Sequence, residues 1–309
     1  MADFLVTGSA GFIGSALAGK LVAEGHNVVS IDNLSTGFRK SIPEGVNFIE
    51  GDCQDESIIN KLNSYQFDAI FHIAGQSSGE ISYEYPIYDL QSNTQSTLLL
   101  LEYALNTKCK KFIYASTMSV YGKQPDIPVI EEASTFPKSF YAVGKLASEY
   151  YLEIYSKYNI DIVALRLFNV YGPGQNMENL KQGMISIFLS QAISNKHILV
   201  KGSPERFRDF VYIDDIINSF TIFLGANKPG YQCYNVSTGV RTTVHDLVQK
   251  ILAYLPYEVT IEYSNPTPGD QFGIYGDASK IQNEMGWTHQ TNLDDGLKKM
   301  IEWYQSTIL

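Results

Sequence analysis

The 309-residue chain has few cysteines, no long apolar run and no excess of positive charge. Cys53, Cys109 and Cys233 are too few and too scattered for a disulfide framework, and they indicate a reducing, cytoplasmic environment. The five histidines form no metal-ligand pair, so we expect no metal. No apolar run approaches about 18 residues, and the first strand begins almost at Met1, so we expect neither a membrane span nor a signal peptide. A net charge of −10 opposes binding to nucleic acid.

Short apolar runs alternate with helical stretches along the first half of the chain. Continuous apolar strands that alternate with helices predict an α/β fold with a doubly wound parallel sheet, covered on both faces, with ligands at the carboxyl ends of the strands. The predicted strands are FLVT (4–7), VVSID (28–32), VNFIEGD (46–52), AIFHIA (69–74), KFIYAST (111–117) and IVALRLFN (162–169).

This rhythm changes after about residue 172, where YGPGQN introduces Gly and Pro and shorter, mixed elements follow. We therefore expect a Rossmann domain over residues 1–172 and a smaller α/β domain for the substrate over residues 173–309. DFVYIDD (209–215) and YQCYNVSTG (231–239) read as strands that return to the first domain.

The stretch LVTGSAGFIG (5–14) predicts a phosphate-binding turn. Gly8, Gly11 and Gly14 join an apolar strand directly to a helix, and a helix that begins this way presents free backbone N–H groups to a pyrophosphate. Asp32 ends the next strand, where an acid would bind a ribose hydroxyl. The spacing GxxGxxG is weak evidence alone, but in this context it predicts a dinucleotide site.

A hydroxyl, a phenol and an amine form the candidate catalytic set. Tyr141 and Lys145 are four residues apart in a helical stretch and share a face. Thr117, preceded by Ser116, ends the fifth strand, where its hydroxyl can reach the same cleft. For Tyr141 to act as a base near neutral pH, its pKa must fall by about 3 units, or roughly 4 kcal/mol. We expect the charge of Lys145, aided by an oxidised nicotinamide, to supply that shift, since a cation about 4 Å away contributes about this much.

Together these residues resemble the extended short-chain dehydrogenases and, within them, the NAD-dependent sugar-nucleotide epimerases and dehydratases. The resemblance covers nearly the whole chain and includes TGSAGFIG, FHIAGQ, STMSVYG, YAVGK, RLFNVYGPG and RDFVYIDD. It implies NAD as cofactor and catalytic roles for Thr117, Tyr141 and Lys145. The NAD-binding residues it implies are Gly8, Gly11, Phe12, Ile13, Gly14, Asp32, Asn33, Asp52, Cys53, Ala74, Gly75, Asn93, Tyr141 and Lys145. The helices near 87–105 and 140–158 resemble those that form homodimers in this family.

Absent acids favour one branch of the family. The 4,6-dehydratases carry Asp-Glu after the catalytic Thr, and nucleotide-glucuronate decarboxylases keep the Glu, whereas this chain has Met118 and Ser119. The remaining pattern resembles the UDP-glucose 4-epimerases, which supply activated sugars for polysaccharides. A net oxidoreductase on the same fold and a non-catalytic NAD-binding protein are the alternatives.

The resemblance also implies a set of substrate contacts, with two departures from the epimerases. Thr267 stands where those enzymes carry a second diphosphate-binding Arg, for which Arg206 could substitute, and Gln76, Ser77 and Ser78 stand where they carry a Lys. Ile274, smaller than the Tyr typical of glucose-specific enzymes, predicts room for a 2-N-acetyl group. The substrate-binding residues that we expect are Ser77, Thr117, Asn169, Asn179, Leu180, Arg206, Arg208, Asp270 and Ile274.

Overall fold

A computed structural model of the chain describes residues 1–266 and 271–308. Its helices are α1 (Phe12–Ala23), α2 (Glu56–Ile59), α3 (Gly79–Glu84), α4 (Pro86–Leu90), α5 (Ser96–Thr107), α6 (Phe140–Ser156), α7 (Met184–Asn195), α8 (Ile213–Thr221), α9 (Val244–Ala253), α10 (Ser279–Met285) and α11 (Leu293–Ile308). Its strands are β1 (Asp3–Thr7), β2 (Asn27–Asp32), β3 (Asn47–Glu50), β4 (Ala69–His72), β5 (Lys111–Thr117), β6 (Asp161–Leu167), β7 (Asn169–Tyr171), β8 (His197–Lys201), β9 (Phe207–Arg208), β10 (Phe210–Tyr212), β11 (Tyr231–Val236), β12 (Thr242–Thr243) and β13 (Thr260–Ser264).

Seven parallel strands form the central sheet in the order β11-β6-β5-β4-β1-β2-β3. The chain order reverses between β1 and β4, and such a switch point opens a crevice at the carboxyl ends of the strands. This arrangement confirms the predicted doubly wound sheet, and each of the six predicted strands contributes to it.

Alternating side chains of each strand pack into two cores, one on each face of the sheet. Phe4 and Val6 of β1 face one core, whereas Leu5 faces the other. Because side chains alternate along a strand, continuous apolar runs are what a sheet covered on both faces requires.

The later part of the chain both extends the sheet and builds structure beyond it. β11 pairs with β6 at the sheet edge, as expected for the segment 231–239. In the segment 209–215, β10 pairs with β7, which lies within residues 1–172, and the chain then enters α8 at Ile213. β8 pairs with β13 and β9 with β12, and residues of α7, β8 and β9 line the second of the two cavities described below.

Candidate active site

The glycine turn between β1 and α1 lets two backbone segments meet without side chains. Gly8 has φ +79°, and a Cβ on Gly14 would lie 2.0 Å from the Gly8 carbonyl oxygen. Gly11 caps α1 without a side-chain hydrogen bond, so the first N–H groups of the helix are not capped by that residue. A helix N-terminus of this kind attracts phosphate oxygens.

Asp32 lies beside this turn at the end of β2. Its two carboxylate oxygens accept hydrogen bonds from the backbone N–H of Ala10 (3.0 Å) and Leu34 (2.7 Å). These contacts fix the carboxylate at the edge of a cavity of about 520 Å³, which we call the glycine cavity. The predicted cofactor residues that line it are Gly8, Gly11, Phe12, Ile13, Gly14, Asp32, Asn33, Asp52, Cys53, Ala74 and Gly75.

Gly75 connects the glycine cavity to the remaining predicted cofactor residues. A Cβ on Gly75, whose φ is +155°, would lie 2.4 Å from Asn93 Oδ1 and 3.4 Å from Lys145 Nζ. Asn93 Oδ1 is buried and has no hydrogen-bond partner among the described residues. A buried acceptor without a hydrogen-bond partner costs free energy. A cofactor hydroxyl bound in the space beside Gly75 would supply the partner that Asn93 Oδ1 lacks.

The three predicted catalytic residues converge from β5 and α6. Ser139 caps α6 by accepting a hydrogen bond from the Ala142 N–H, which starts the helix just before Tyr141. Lys145 is buried and donates to the Ala115 carbonyl oxygen (3.0 Å), with its ammonium 4.6 Å from the Tyr114 ring centroid. Thr117 interacts with the Tyr141 phenol and lowers its pKa.

We expected Lys145 to lower the pKa of Tyr141, and in the protein without cofactor this expectation is wrong. Burial raises the pKa of Tyr141 to about 12, and Asp89 acts in the same direction, whereas only Thr117 lowers it. Lys145 is directed instead toward the Ala115 carbonyl, and burial lowers the pKa of its own ammonium to about 8. Desolvation outweighs the attraction that we expected between the two side chains, because burial disfavours both charged forms.

A buried ion pair lies one helical turn beyond Lys145. Glu149 accepts hydrogen bonds from Arg166 Nη2 (2.7 Å) and Nε (3.0 Å) and from the Ser116 hydroxyl. Arg166 also donates to the Tyr121 hydroxyl (2.9 Å). Sequence reasoning missed this pair. Two signals could have indicated it: Glu149 continues the four-residue spacing of Tyr141 and Lys145, and Arg166 lies within an apolar strand.

A second cavity, of about 570 Å³, opens in front of Tyr141. We call it the basic cavity, because five cationic side chains and one carboxylate line it. The cationic residues are Lys138, Lys181, Lys201, Arg206 and Arg208, and the acidic residue is Glu80. Since the whole chain is acidic, this local charge favours an anionic ligand.

The structure brings most predicted substrate residues to the basic cavity but not all of them. Ser77, Asn169, Leu180, Arg206 and Arg208 line it, together with Met118 and Ser119. Asn179 lines the glycine cavity instead, and Thr117 contacts Tyr141 without lining either cavity. Thr267 and Asp270 lie outside the described residues.

The predicted role of Ile274 is wrong. Its side chain is 2% exposed, packs into the hydrophobic core, and is not among the lining residues of either cavity. Gly273 forms a β-bridge with Phe207, and a Cβ on Gly273 would lie 2.2 Å from the Phe207 ring. Since successive residues of an extended segment point to opposite sides, Ile274 faces the core. The pocket argument for N-acetylated sugars therefore loses its basis.

Two structural features are absent from residues 1–266 and 271–308. No helix there has the length and apolar character needed to cross a membrane. In the same part of the chain, no three His, Cys, Asp or Glu side chains cluster as metal ligands do.

Comparison with known proteins assigns the family. The model of the NAD dependent epimerase/dehydratase family matches residues 4–237. The chain belongs to this family. A UDP-glucose 4-epimerase of Mycolicibacterium smegmatis is 33% identical over 309 residues, covering 98% of each chain. The crystal structure of the Thermotoga maritima UDP-glucose 4-epimerase with UDP-glucose has a TM-score of 0.93 at 32% identity, covering 99% of this chain and 100% of that one. The UDP-glucose 4-epimerase of Thermus thermophilus in complex with NAD has a TM-score of 0.92 at 29% identity, covering 98% of this chain and 99% of that one.

Family membership agrees with the chemistry of the two cavities. The glycine cavity offers an uncapped helix N-terminus and a carboxylate suited to a dinucleotide, so the residues present fit NAD. The basic cavity meets it at Ser77, Ser78 and Gln182, which line both. A cofactor and an anionic substrate can thus approach each other beside Tyr141.

Proposed function

We propose that the protein is an NAD-dependent sugar-nucleotide 4-epimerase that acts on UDP-hexoses. The observation that carries the proposal is the position of Tyr141. It lines a cavity rich in cationic side chains, with Thr117 in contact with its phenol and Lys145 one helical turn away. That cavity suits a nucleoside diphosphate, and Tyr141 suits proton transfer at a sugar hydroxyl.

The cofactor would lie in the glycine cavity. The N–H groups at Phe12 and Ile13 would bind its pyrophosphate, Asp32 its adenosine ribose, and Asn93 and Lys145 its second ribose. When bound, NAD supplies a hydride acceptor and returns the hydride, and its oxidised ring adds positive charge near the catalytic side chains.

The chain itself supplies proton transfer and positioning. Tyr141 takes the proton of the sugar 4-hydroxyl and later gives it back, while Thr117 orients that hydroxyl and lowers the pKa of the phenol. The Lys145 ammonium is held in place by the hydrogen bond that it donates to the Ala115 carbonyl oxygen. Arg206 and Arg208 of the basic cavity would bind the diphosphate, with Asn169 beside them.

A dehydratase needs an additional acid and base, and Met118 and Ser119 occupy the positions next to Thr117 in the basic cavity. Neither side chain ionises near neutral pH, so neither can serve as that acid or base. Epimerisation is therefore favoured over water elimination. A net oxidoreductase would use the same three catalytic residues and differs in releasing reduced cofactor.

The direct test incubates purified protein with UDP-, dTDP- and GDP-hexoses, with and without a 2-N-acetyl group, and adds no cofactor. We expect the C4 epimer of a UDP-hexose to form without net NADH. Stoichiometric NADH would indicate the oxidoreductase, and a 4-keto-6-deoxy product would indicate the dehydratase.

We propose a homodimer formed through α4 and α6. Ile87 and Leu90 of α4 and Val143, Tyr150 and Ile154 of α6 are each about half exposed or more. Spacings of seven and four residues place the α6 side chains on one face, and a contiguous apolar face of this kind marks a protein interface. Light scattering should give twice the chain mass, and Tyr150→Arg should give a monomer.

We also propose that the protein works in the cytoplasm and supplies a polysaccharide precursor. The thiols of Cys53, Cys109 and Cys233 are free, which suits a reducing compartment. Cell fractionation with an antibody tests the location, and the sugar composition of surface polysaccharide in a deletion strain tests the role.

A further inference from the structure

Asp89 has a buried carboxylate close to the catalytic residues. The proposed mechanism assigns it no role. Asp89 lies on α4 with only 1% of its surface exposed. The chain continues from α4 into a single π-helical turn, Gln91–Gln95, which carries Asn93. Such turns are rare and frequently occur at functional sites. Asp89 and Asn93, four residues apart, both reach the region of Lys145.

The hydrogen bonds of Asp89 involve only neutral donors. Its Oδ1 accepts from Gln76 Nε2 (2.6 Å) and Asn93 Nδ2 (3.2 Å), and its Oδ2 is buried with no hydrogen-bond partner among the described residues. A buried carboxylate is costly unless something balances its charge. Neither amide donor carries a charge, and Lys145 is the cation whose attraction acts on the Asp89 carboxylate.

Close packing of α4 against α6 brings Asp89 near Lys145. Gly144 precedes Lys145 on α6, and a Cβ there would lie 3.7 Å from Asp89 Oδ2 and 3.3 Å from Thr94 Oγ1. The lack of a side chain at Gly144 thus leaves room for the carboxylate to approach the helix at the residue next to Lys145.

The ionisable groups around Lys145 come from four elements. Asp89 approaches from α4, Glu149 and Tyr141 from α6, Tyr114 from β5 and His72 from β4. Glu149 already pairs with Arg166, so its charge is largely balanced. Tyr114 and His72 are neutral because burial raises the pKa of the phenol and lowers that of the imidazole. Among these neighbours, Asp89 is therefore the group whose negative charge is not already balanced by another cation and can stabilise the Lys145 ammonium.

We propose that Asp89 is a positioning residue whose buried carboxylate keeps Lys145 in its ammonium form and thereby sets the pH range in which Lys145 and Tyr141 work together. Gln76 and Asn93 hold the carboxylate in place. The catalytic part of this inference rests on the proposed epimerase function, whereas the effect on Lys145 does not.

The sign of the effect follows from the charge of Asp89. The carboxylate stabilises the ammonium and so raises the pKa of Lys145 against burial, which lowers it to about 8. It disfavours the tyrosinate and so raises the pKa of Tyr141 as well. Removal of the charge should lower both pKa values, and both sides of a pH–rate profile should move to lower pH.

The first test measures Lys145 itself in the whole protein, without substrate. Lysine labelled with ¹³C at Cε is titrated by NMR, and the Lys145 resonance is assigned with Lys145→Met. In Asp89→Asn we expect its midpoint about one pH unit lower, a tenfold change in the protonation ratio, since removal of a nearby opposite charge shifts the pKa of a buried group by about one unit or more. Asp126→Asn, which removes an exposed carboxylate paired with Arg241, is the matched control and should leave the midpoint unchanged.

The second test measures catalysis. In Asp89→Asn the ratio of kcat at pH 9 to kcat at pH 7 should fall about three- to tenfold, with little change in KM. An unchanged Lys145 midpoint would refute the proposal, whatever the activity. A lower midpoint in a protein that epimerises no sugar nucleotide would support the role of Asp89 and refute the proposed function. If Asp89→Asn does not fold, Asp89→Ser also lacks the charge and carries the same test.

Discussion

Replacement of Glu149 by Gln should destabilise the protein far more than the same change in an exposed ion pair. Glu149 and Arg166 have side chains only 4% and 9% exposed, and three donor groups converge on the carboxylate. The glutamine of Glu149→Gln would keep one acceptor oxygen but leave the Arg166 charge without a counter-ion. Removal of one partner of a buried ion pair costs about 3–5 kcal/mol.

The lower end of that range applies here, because Arg166 keeps its hydrogen bonds to the Tyr121 hydroxyl and the Glu131 carbonyl (2.9 Å each). For 309 residues, the unfolding entropy is about 0.65 kcal/mol/K near the transition. A loss of about 3 kcal/mol therefore corresponds to a Tm about 5 °C lower.

Glu84→Gln is the matched control, since Glu84 forms an exposed pair with Lys181 (2.9 Å). Exposed pairs contribute about 0–1 kcal/mol, so its Tm should fall by less than about 2 °C. Calorimetry or circular dichroism of the three proteins at one pH measures both shifts. Equal Tm shifts in the two variants would show that the buried Glu149–Arg166 pair contributes no more to the free energy of unfolding than an exposed pair does.

The other predictions concern the reaction and the cofactor. Tyr141→Phe should lower turnover by about 10²–10⁴-fold with an unchanged circular dichroism spectrum, and near-normal turnover would exclude Tyr141 as the proton acceptor. Gly14→Ala should abolish NAD binding, measured by fluorescence, because the new Cβ meets the Gly8 carbonyl at 2.0 Å, whereas Gly225→Ala, with nothing within 4 Å, should bind normally. Normal NAD binding by Gly14→Ala would contradict the close approach assigned to this turn. The protein should bind NAD more tightly than NADP, because a 2′-phosphate would face the Asp32 carboxylate, and equal affinities would contradict that role.

The sequence by itself determined the architecture and the cofactor turn. Apolar runs such as those of β1 and β5 record burial on both faces of a sheet, so their order along the chain predicts a parallel doubly wound fold. Gly8 has a positive φ, and a Cβ on Gly14 would meet the Gly8 carbonyl oxygen, so both requirements arise within the turn itself. The helical spacing of Tyr141 and Lys145 is likewise a local property, which sequence reasoning can recognise.

Tertiary structure alone decided the ionisation of the site and the position of several side chains. The pKa values of Tyr141 and Lys145 depend on burial, which arises only when α4, α6 and β5 pack together, and the expected order of effects was reversed. Ile274 occupies the core rather than the basic cavity, since Gly273 faces the Phe207 ring and successive residues of an extended segment point to opposite sides. Asp89 meets Gln76, and Glu149 meets Arg166, through contacts that no local pattern encodes. Electrostatic free energies depend on distance and solvent exposure in three dimensions, and for this reason they became readable only in the folded protein.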